Sequence, residues 1–373
     1  MTPELAIILT ACLTATACAI VGTFLVLRKM ALIGDAISHA VLPGIVIAFF
    51  FTHSLNSLPM LIGASLFGLV TVALIEALSR TRRVAEDSAI GVVFPALFAL
   101  GVLLISQRAG QIHLDTDCVL YGDIAWVPFN TIVVGGVNLG PRSVWVLGAV
   151  TLANLLFVLV FWKELKISTF DPELAAALGL APVLIQYLLM GAVSVTTVAA
   201  FESVGAILVV AMLIVPAATA YLFTDRLWLM LTLAIVFGVL AAVSGYFFAR
   251  AFDFSIAGAM ALAVGVWFTL AWLFAPRHGV VAQLVWRARL SVRFAGELLV
   301  AHMADRNEPS LPVRALAGHF RWREWFGRLV VRDLLRRQLV RLDKAEVLLL
   351  TETGRQLARE FGREASAANS HDR

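Results

Sequence analysis

Gly34-Asp35-Ala36-Ile37-Ser38-His39-Ala40-Val41-Leu42-Pro43-Gly44 opens a stretch that stays apolar to about Phe51. Asp35 and His39 are four residues apart, so on a helix they share one face, about one turn from each other. A carboxylate and an imidazole within a membrane are costly unless paired, hydrated or bound to a cation. Carboxylate oxygen and imidazole nitrogen also form a ligand set for divalent transition metals. Two readings stand side by side: metal ligands on a transport path, or a polar pair that hydrogen-bonds across helices and fixes packing. Two ligands are too few for a closed metal site, so others would come from other helices, another subunit or water. Pro43-Gly44 is expected to loosen the helix one turn further on, where freed backbone groups can line a cavity.

The surrounding chain has the composition of a membrane protein. Of its 373 residues, 60% are hydrophobic and 14% charged, whereas soluble domains run near 45–50% apolar and about 25% charged. Apolar runs long enough to cross a bilayer lie near 5–27, 32–52, 58–79, 88–106, 143–162, 181–200, 204–223, 227–249 and 254–274. The expected fold is an all-α polytopic membrane protein of about nine transmembrane helices, within a range of eight to ten. Met1-Thr2-Pro3-Glu4 lacks a basic leader, so the first span is expected to stay. Arg28-Lys29, Arg80, Arg82, Arg83, Lys163, Lys166, Arg226, Arg277, Arg287, Arg289 and Arg293 fall on one side if the N-terminus is outside. That asymmetry predicts an outside N-terminus and a cytoplasmic C-terminal tail.

Charge also divides the chain near Pro276. Residues 1–276 carry 11 Lys/Arg against 14 Asp/Glu, and residues 277–373 carry 18 against 11. A membrane body of net −3 therefore precedes a basic extension of net +7. The expected domains are 1–276, a transmembrane domain, and 277–373, a cytoplasmic extension.

Three further segments bear on function. Asp171-Pro172-Glu173-Leu174-Ala175-Ala176-Ala177-Leu178-Gly179 reads as a short helix between two spans. Asp171 caps it, Pro172 suits its first turn, Glu173 suits its dipole and Gly179 suits its end. Such a helix is a plausible docking element for a cytoplasmic partner. Glu202 precedes the apolar run Val204–Ala220 near the expected outer end, where it either attracts a cation or is a water-exposed interfacial carboxylate. His113, Asp115 and Asp117 alternate along the outer segment 107–142, as a cation-concentrating vestibule or an ordinary solvated loop. Cys12, Cys18 and Cys118 form no disulfide or zinc framework. No GxxxxGK[ST] occurs, so ATP-driven transport would need a nucleotide-binding partner, and no catalytic motif marks the chain as an enzyme.

Met30-Ala31-Leu32-Ile33 followed by the opening segment closely resembles the signature of permease subunits of bacterial ABC transporters for manganese, zinc and iron. Glu202 through Ala220 resembles a second block of that family, Asp171-Pro172-Glu173 with Ala177-Leu178-Gly179 its ATPase-coupling loop, and Asp117 through Asp123 the outer-loop block of its manganese-type members. The resemblance spans residues 5–275 or so. It implies a multi-pass protein of the bacterial inner (plasma) membrane that works with a cytoplasmic ATPase subunit, an extracytoplasmic metal-binding protein and a second permease subunit, identical or paralogous. It marks Asp35 and His39 as metal-contacting, while Glu202 falls where members vary. The transported ion would be manganese, favoured by the outer-loop block, or zinc or iron, and no cofactor would be permanently bound. The tail resembles that of a subgroup with a cytoplasmic extension, whose helix, apolar strand and Leu350-Thr351-Glu352-Thr353-Gly354 are similar to a small α+β winged helix. Residues 333–340 and 352–358 are expected to be helical, with Thr351 as N-cap. Arg321, Arg323, Arg328, Arg332, Arg336 and Arg337 there suit anionic membrane lipid and an ATPase better than nucleic acid. The alternative is a membrane-tethered metal-responsive regulator that uses this tail.

Overall fold

The computed structural model describes residues 2–52, 57–81, 83–108, 124–134, 137–276, 279–305, 310–312, 316, 320, 322–343 and 347–359. The outer-loop residues His113, Asp115, Asp117 and Asp123, and also Arg321, lie outside the described residues. The chain divides into two compact units, Met1–Gly279 and Val280–Arg373.

The first unit is a helical bundle. Its elements are α1 Pro3–Leu27, α2 Ala31–Ala40, α3 Leu42–Thr52, α4 Ser57–Ser79, α5 Glu86–Arg108, β1 Thr131–Val134, β2 Val137–Pro141, α6 Arg142–Val160, α7 Trp162–Phe170, α8 Pro172–Ala177, α9 Pro182–Val204, α10 Ala206–Tyr221, α11 Leu227–Phe252 and α12 Ile256–Phe274. Among the described residues, eight helices are long and apolar enough to cross a membrane, with α2 and α3 counted together as Ala31–Thr52. The apolar run at 204–223 became α10, which has 16 residues and so spans only about 24 Å at 1.5 Å per residue. The cause is Gly205, whose φ of +79° ends α9 and starts α10. A side chain at that φ is strained, and Gly is not.

α1 is apolar all round, as a central helix must be. In it 67% of the spanning window is buried, against 17% for Asp87–Leu104 in α5, so α1 is core and α5 is periphery. α1 packs against α6, α9, α10 and α11. Its closest approach is to α10, where a Cβ on Gly22 would meet the Leu213 carbonyl oxygen. Small residues permit such backbone contact, and dispersion over the contact drives helix association in lipid. Gly22→Val is therefore expected to force α1 and α10 apart. The cost is roughly 1–3 kcal/mol, as for other overpacked cores, and a lower midpoint of thermal aggregation in detergent measures it. Asn154 adds a polar tie: its Nδ2 donates to Thr196 Oγ1 at 2.7 Å, joining α6 to α9 in the interior.

β1 and β2 form an antiparallel hairpin within the long segment that the sequence offered only as a loop. The signal was available: Thr131-Ile132-Val133-Val134 is β-branched and Gly135-Gly136 follows.

The second unit has its own core. It contains α13 Val280–Asp305, β3 Ser310–Pro312, α14 Glu324–Arg336, β4 Val340–Leu342 and β5 Val347–Leu350. The strands form an antiparallel sheet in the order β3-β5-β4. Leu299, Met303, Leu311, Val330, Leu334 and Leu348 meet in its interior. The expected helix over 333–340 is displaced: α14 ends at Arg336, Gln338 takes a left-handed φ of 56°, and Val340 already belongs to β4. Residues 352–359 are helical, and Thr351 Oγ1 accepts from the Gly354 N–H at 3.2 Å, as an N-cap does. Arg328, Arg332 and Arg336 are exposed along one side of α14, opposite buried Val330, Val331 and Leu334.

Candidate functional site

α2 begins immediately after α1. α1 ends in a Schellman arrangement: Met30 N–H donates to Leu25 O at 3.0 Å and Lys29 N–H to Val26 O at 3.1 Å. Lys29 holds the left-handed position, φ 61°, that usually takes Gly. The chain thus turns within Arg28-Lys29-Met30 and enters α2. α2 stops at Ala40, and Val41 separates it from α3. Pro43, two residues beyond Val41, explains the break. It has no N–H to give the His39 carbonyl, and its ring crowds that carbonyl. The second span is therefore two half-helices with freed backbone near its middle, a geometry tolerated where helices line a pathway.

Asp35 and His39 sit on the first half-helix. His39 Nε2 is 3.6 Å from Asp35 Oδ1, and the side chains are 37% and 47% exposed respectively. The His39 ring lies against Phe94 of α5, with centroids 5.6 Å apart. Ser38, between them, is buried and donates to the Asp35 carbonyl at 2.7 Å. Among the described residues, no third His, Cys, Asp or Glu joins the pair. Both donors are thus partly exposed rather than sealed within the packed core.

Glu202 lies elsewhere. It lines a cavity of about 260 Å³ together with Ser38, Ile45, Met60, Thr197 and Phe201. Thr197 is fully buried there and its Oγ1 has no hydrogen-bond partner among the described residues. Asp35 and His39 do not line this space. Glu202 is thus near the turn that carries Ser38, but not beside the Asp35–His39 pair.

The segment after α7 folds as its sequence dictates. Asp171 caps α8: its Oδ1 accepts from Leu174 N–H at 2.9 Å, and Pro172 fills the first turn. Gly179, φ +78°, ends it, with Gly179 N–H donating to Ala176 O and Leu180 N–H to Ala175 O, both at 3.0 Å. Ala175 is buried, while Pro172, Glu173, Ala177, Leu174 and Leu178 are exposed. Leu174 and Leu178, spaced by four, fall on one side of α8 and its C-cap, and exposed Phe170 closes α7 just before it.

A contact missed by sequence reasoning joins these regions. Arg28 Nη2 donates to Ser168 Oγ at 2.8 Å and Arg28 Nε to Thr169 Oγ1 at 3.2 Å. Burial pushes the Arg28 pKa down from its ordinary value, yet an arginine stays protonated in proteins.

The chain as a whole is similar to known proteins. The model of the ABC 3 transport family matches residues 5–275. The chain belongs to this family of ABC-transporter permeases. The ABC 3 permease is 51% identical over 283 residues to the manganese transport system membrane protein MntD of Bacillus subtilis (strain 168), covering 76% of this chain and 96% of that one. It is 45% identical over 358 residues to the zinc transport system membrane protein TroD of Treponema pallidum (strain Nichols), covering 94% and 97%. The second alignment therefore takes in much of the basic extension as well as the bundle. The solved structure of PsaBC from Streptococcus pneumoniae in complex with Fab superposes with a TM-score of 0.63 at 34% identity, over 74% of this chain and 94% of that chain. The permease is a transport subunit of the membrane, and ATP hydrolysis falls to a separate ATPase.

Proposed function

We propose that this permease passes a divalent transition-metal ion, manganese before zinc, across the inner membrane into the cell. The observation that carries the proposal is the Asp35–His39 pair, 3.6 Å apart and partly exposed on the first half of a span that breaks just before Pro43. One oxygen and one nitrogen donor hold such an ion incompletely. Incomplete coordination suits transport, because the ion must leave as well as enter. The missing donors are water and a second permease subunit facing the exposed side of α2. That manganese and zinc systems both contain relatives at this level of identity fits a mixed O/N donor set.

In this reading the N-terminus is outside, an extracytoplasmic metal-binding protein delivers the ion, and α8 docks on the cytoplasmic ATPase. Asp171, Pro172, Glu173, Ala177 and Gly179 shape that short helix, and Leu174 and Leu178 give it an apolar side. Glu202 draws cations toward the path from its own cavity and is not a primary ligand. Glu202→Gln is accordingly expected to raise the manganese concentration for half-maximal uptake about two- to five-fold and leave the maximal rate nearly unchanged, because a distant charge alters local ion concentration rather than the bound state. Transport of radioactive manganese into proteoliposomes, compared with zinc, tests the proposal. Failure of the assembled transporter to accumulate either ion would overturn it.

A further inference from the structure

The bridge from Arg28 to Ser168 and Thr169 has a position that nothing in the transport reading requires. It links residues 140 and 141 apart in sequence. Only Lys29 and Met30 separate one end from α2, whose first turn leads to Asp35. The other end is in the last turn of α7, and only Phe170 and Asp171 separate Thr169 from α8. Both ends are tight. On the first side, the Schellman turn at Lys29 leaves no slack between Arg28 and Ala31. On the second, Asp171 N–H still donates to Ile167 O at 2.9 Å while its side chain caps α8. Displacement of α8 therefore reaches Arg28 through two hydrogen bonds, and Arg28 is covalently next to the hinge of the metal-bearing half-helix.

We infer that Arg28 is a positioning residue that transmits movement of α8 to α2, and with it to the Asp35–His39 pair. The inference rests on the transport reading above, because it needs a metal at that pair and an ATPase at α8. The chemistry fits a transmission element better than a static anchor. A guanidinium offers five donors in a rigid fork, so the two hydroxyls are held in a fixed relation to its plane. Hydroxyl acceptors are neutral, so the bridge has no ion-pair energy to lock it and can re-form in a second register as the helices shift. Ser168 is buried and also donates to Leu165 O at 3.4 Å, which keeps its lone pairs toward Arg28.

The test uses the full transporter, with its ATPase and its extracytoplasmic binding protein, in proteoliposomes. Manganese uptake and ATP hydrolysis are measured together. Arg28→Gln is expected to leave ATP hydrolysis within about two-fold and to cut manganese taken up per ATP by about ten-fold. Arg28→Lys, which retains a charge and one donor direction, should recover part of the lost coupling. The paired change Ser168→Ala with Thr169→Val should reproduce Arg28→Gln from the other end, and it decides the matter if Arg28→Gln fails to insert. Uptake and hydrolysis falling in proportion, or uptake per ATP unchanged in the paired variant, would overturn the inference. An Asp35→Ala control separates the two levels: uptake by that variant at the normal rate refutes the metal reading itself, whereas loss of uptake there with normal coupling in the Arg28 and Ser168/Thr169 variants refutes the transmission role alone.

Discussion

Replacing Asp35 by Ala is expected to lower manganese uptake by about 100-fold or more while the protein still reaches the membrane in normal amount. The size follows from how few donors the chain itself supplies. Loss of outer-shell support alone costs a metal site about 10–100-fold in affinity or activity, and Asp35 is proposed as one of two inner donors. The absence of a stability effect follows from exposure. With 47% of its side chain open, Asp35 contributes little to packing, and substitutions of that kind shift stability within about 0.5 kcal/mol. His39→Ala should show the same loss of transport with a slightly larger structural cost, because it also removes the ring contact with Phe94. Asp35→Glu keeps the charge but moves it by a methylene, and should retain a measurable fraction of transport. The readouts are metal accumulation in cells and the amount of protein in the membrane fraction. Normal accumulation by Asp35→Ala would remove the pair from the transport path.

The pattern behind that prediction was legible early, and for a physical reason. A charged pair in an apolar run is rare because lipid penalises it, so Asp35 and His39 stood out without any structure. Long apolar runs such as Pro3–Leu27 and Leu227–Phe252 announced themselves in the same way. What stayed hidden depends on contacts between distant segments. Arg28 read as one more cytoplasmic charge setting orientation, because the hydroxyls it meets are in another helix. The cavity that Glu202 lines was not readable either, because no local pattern tells which space a carboxylate faces. The shortness of α10 was harder still. Its residues are as apolar as any span, and only the backbone angle at Gly205 divides it from α9. In the tail, local propensity carried the helical reading through Val340, but pairing of Val340–Leu342 with β5 claimed those residues for the sheet. Strand pairing is a tertiary demand that overrides a weak helical preference.

A second large effect is expected at the other end of the Arg28 bridge. Leu174→Asp combined with Leu178→Asp should strip the ATPase from the permease and abolish uptake, with the bundle intact. Leu174 and Leu178 are 49% and 60% exposed, and they form one apolar side of a six-residue helix and its C-cap. A helix that short is not stable alone. It is held here by the Asp171 cap and the Gly179 turn, so its surface is presented in a fixed shape at little further entropic cost. Buried anchors of an interface cost about 2 kcal/mol or more each when lost, which is about 30-fold in affinity per residue, and two such losses weaken the contact about 1,000-fold, enough to lose the ATPase on purification. Asp171→Ala should do less. Removing an N-cap costs about 1 kcal/mol, enough to fray α8 and weaken the complex about five-fold without destroying its apolar side. The measurement is recovery of the ATPase with the affinity-purified permease, followed by uptake. The comparison with Asp35→Ala gives it meaning: that variant should keep its ATPase and lose the ion, whereas the leucine pair should keep the ion site and lose the ATPase. Undiminished ATPase recovery with both leucines changed to Asp would place the docking surface elsewhere, and would remove the mechanical input that the Arg28 bridge is inferred to relay.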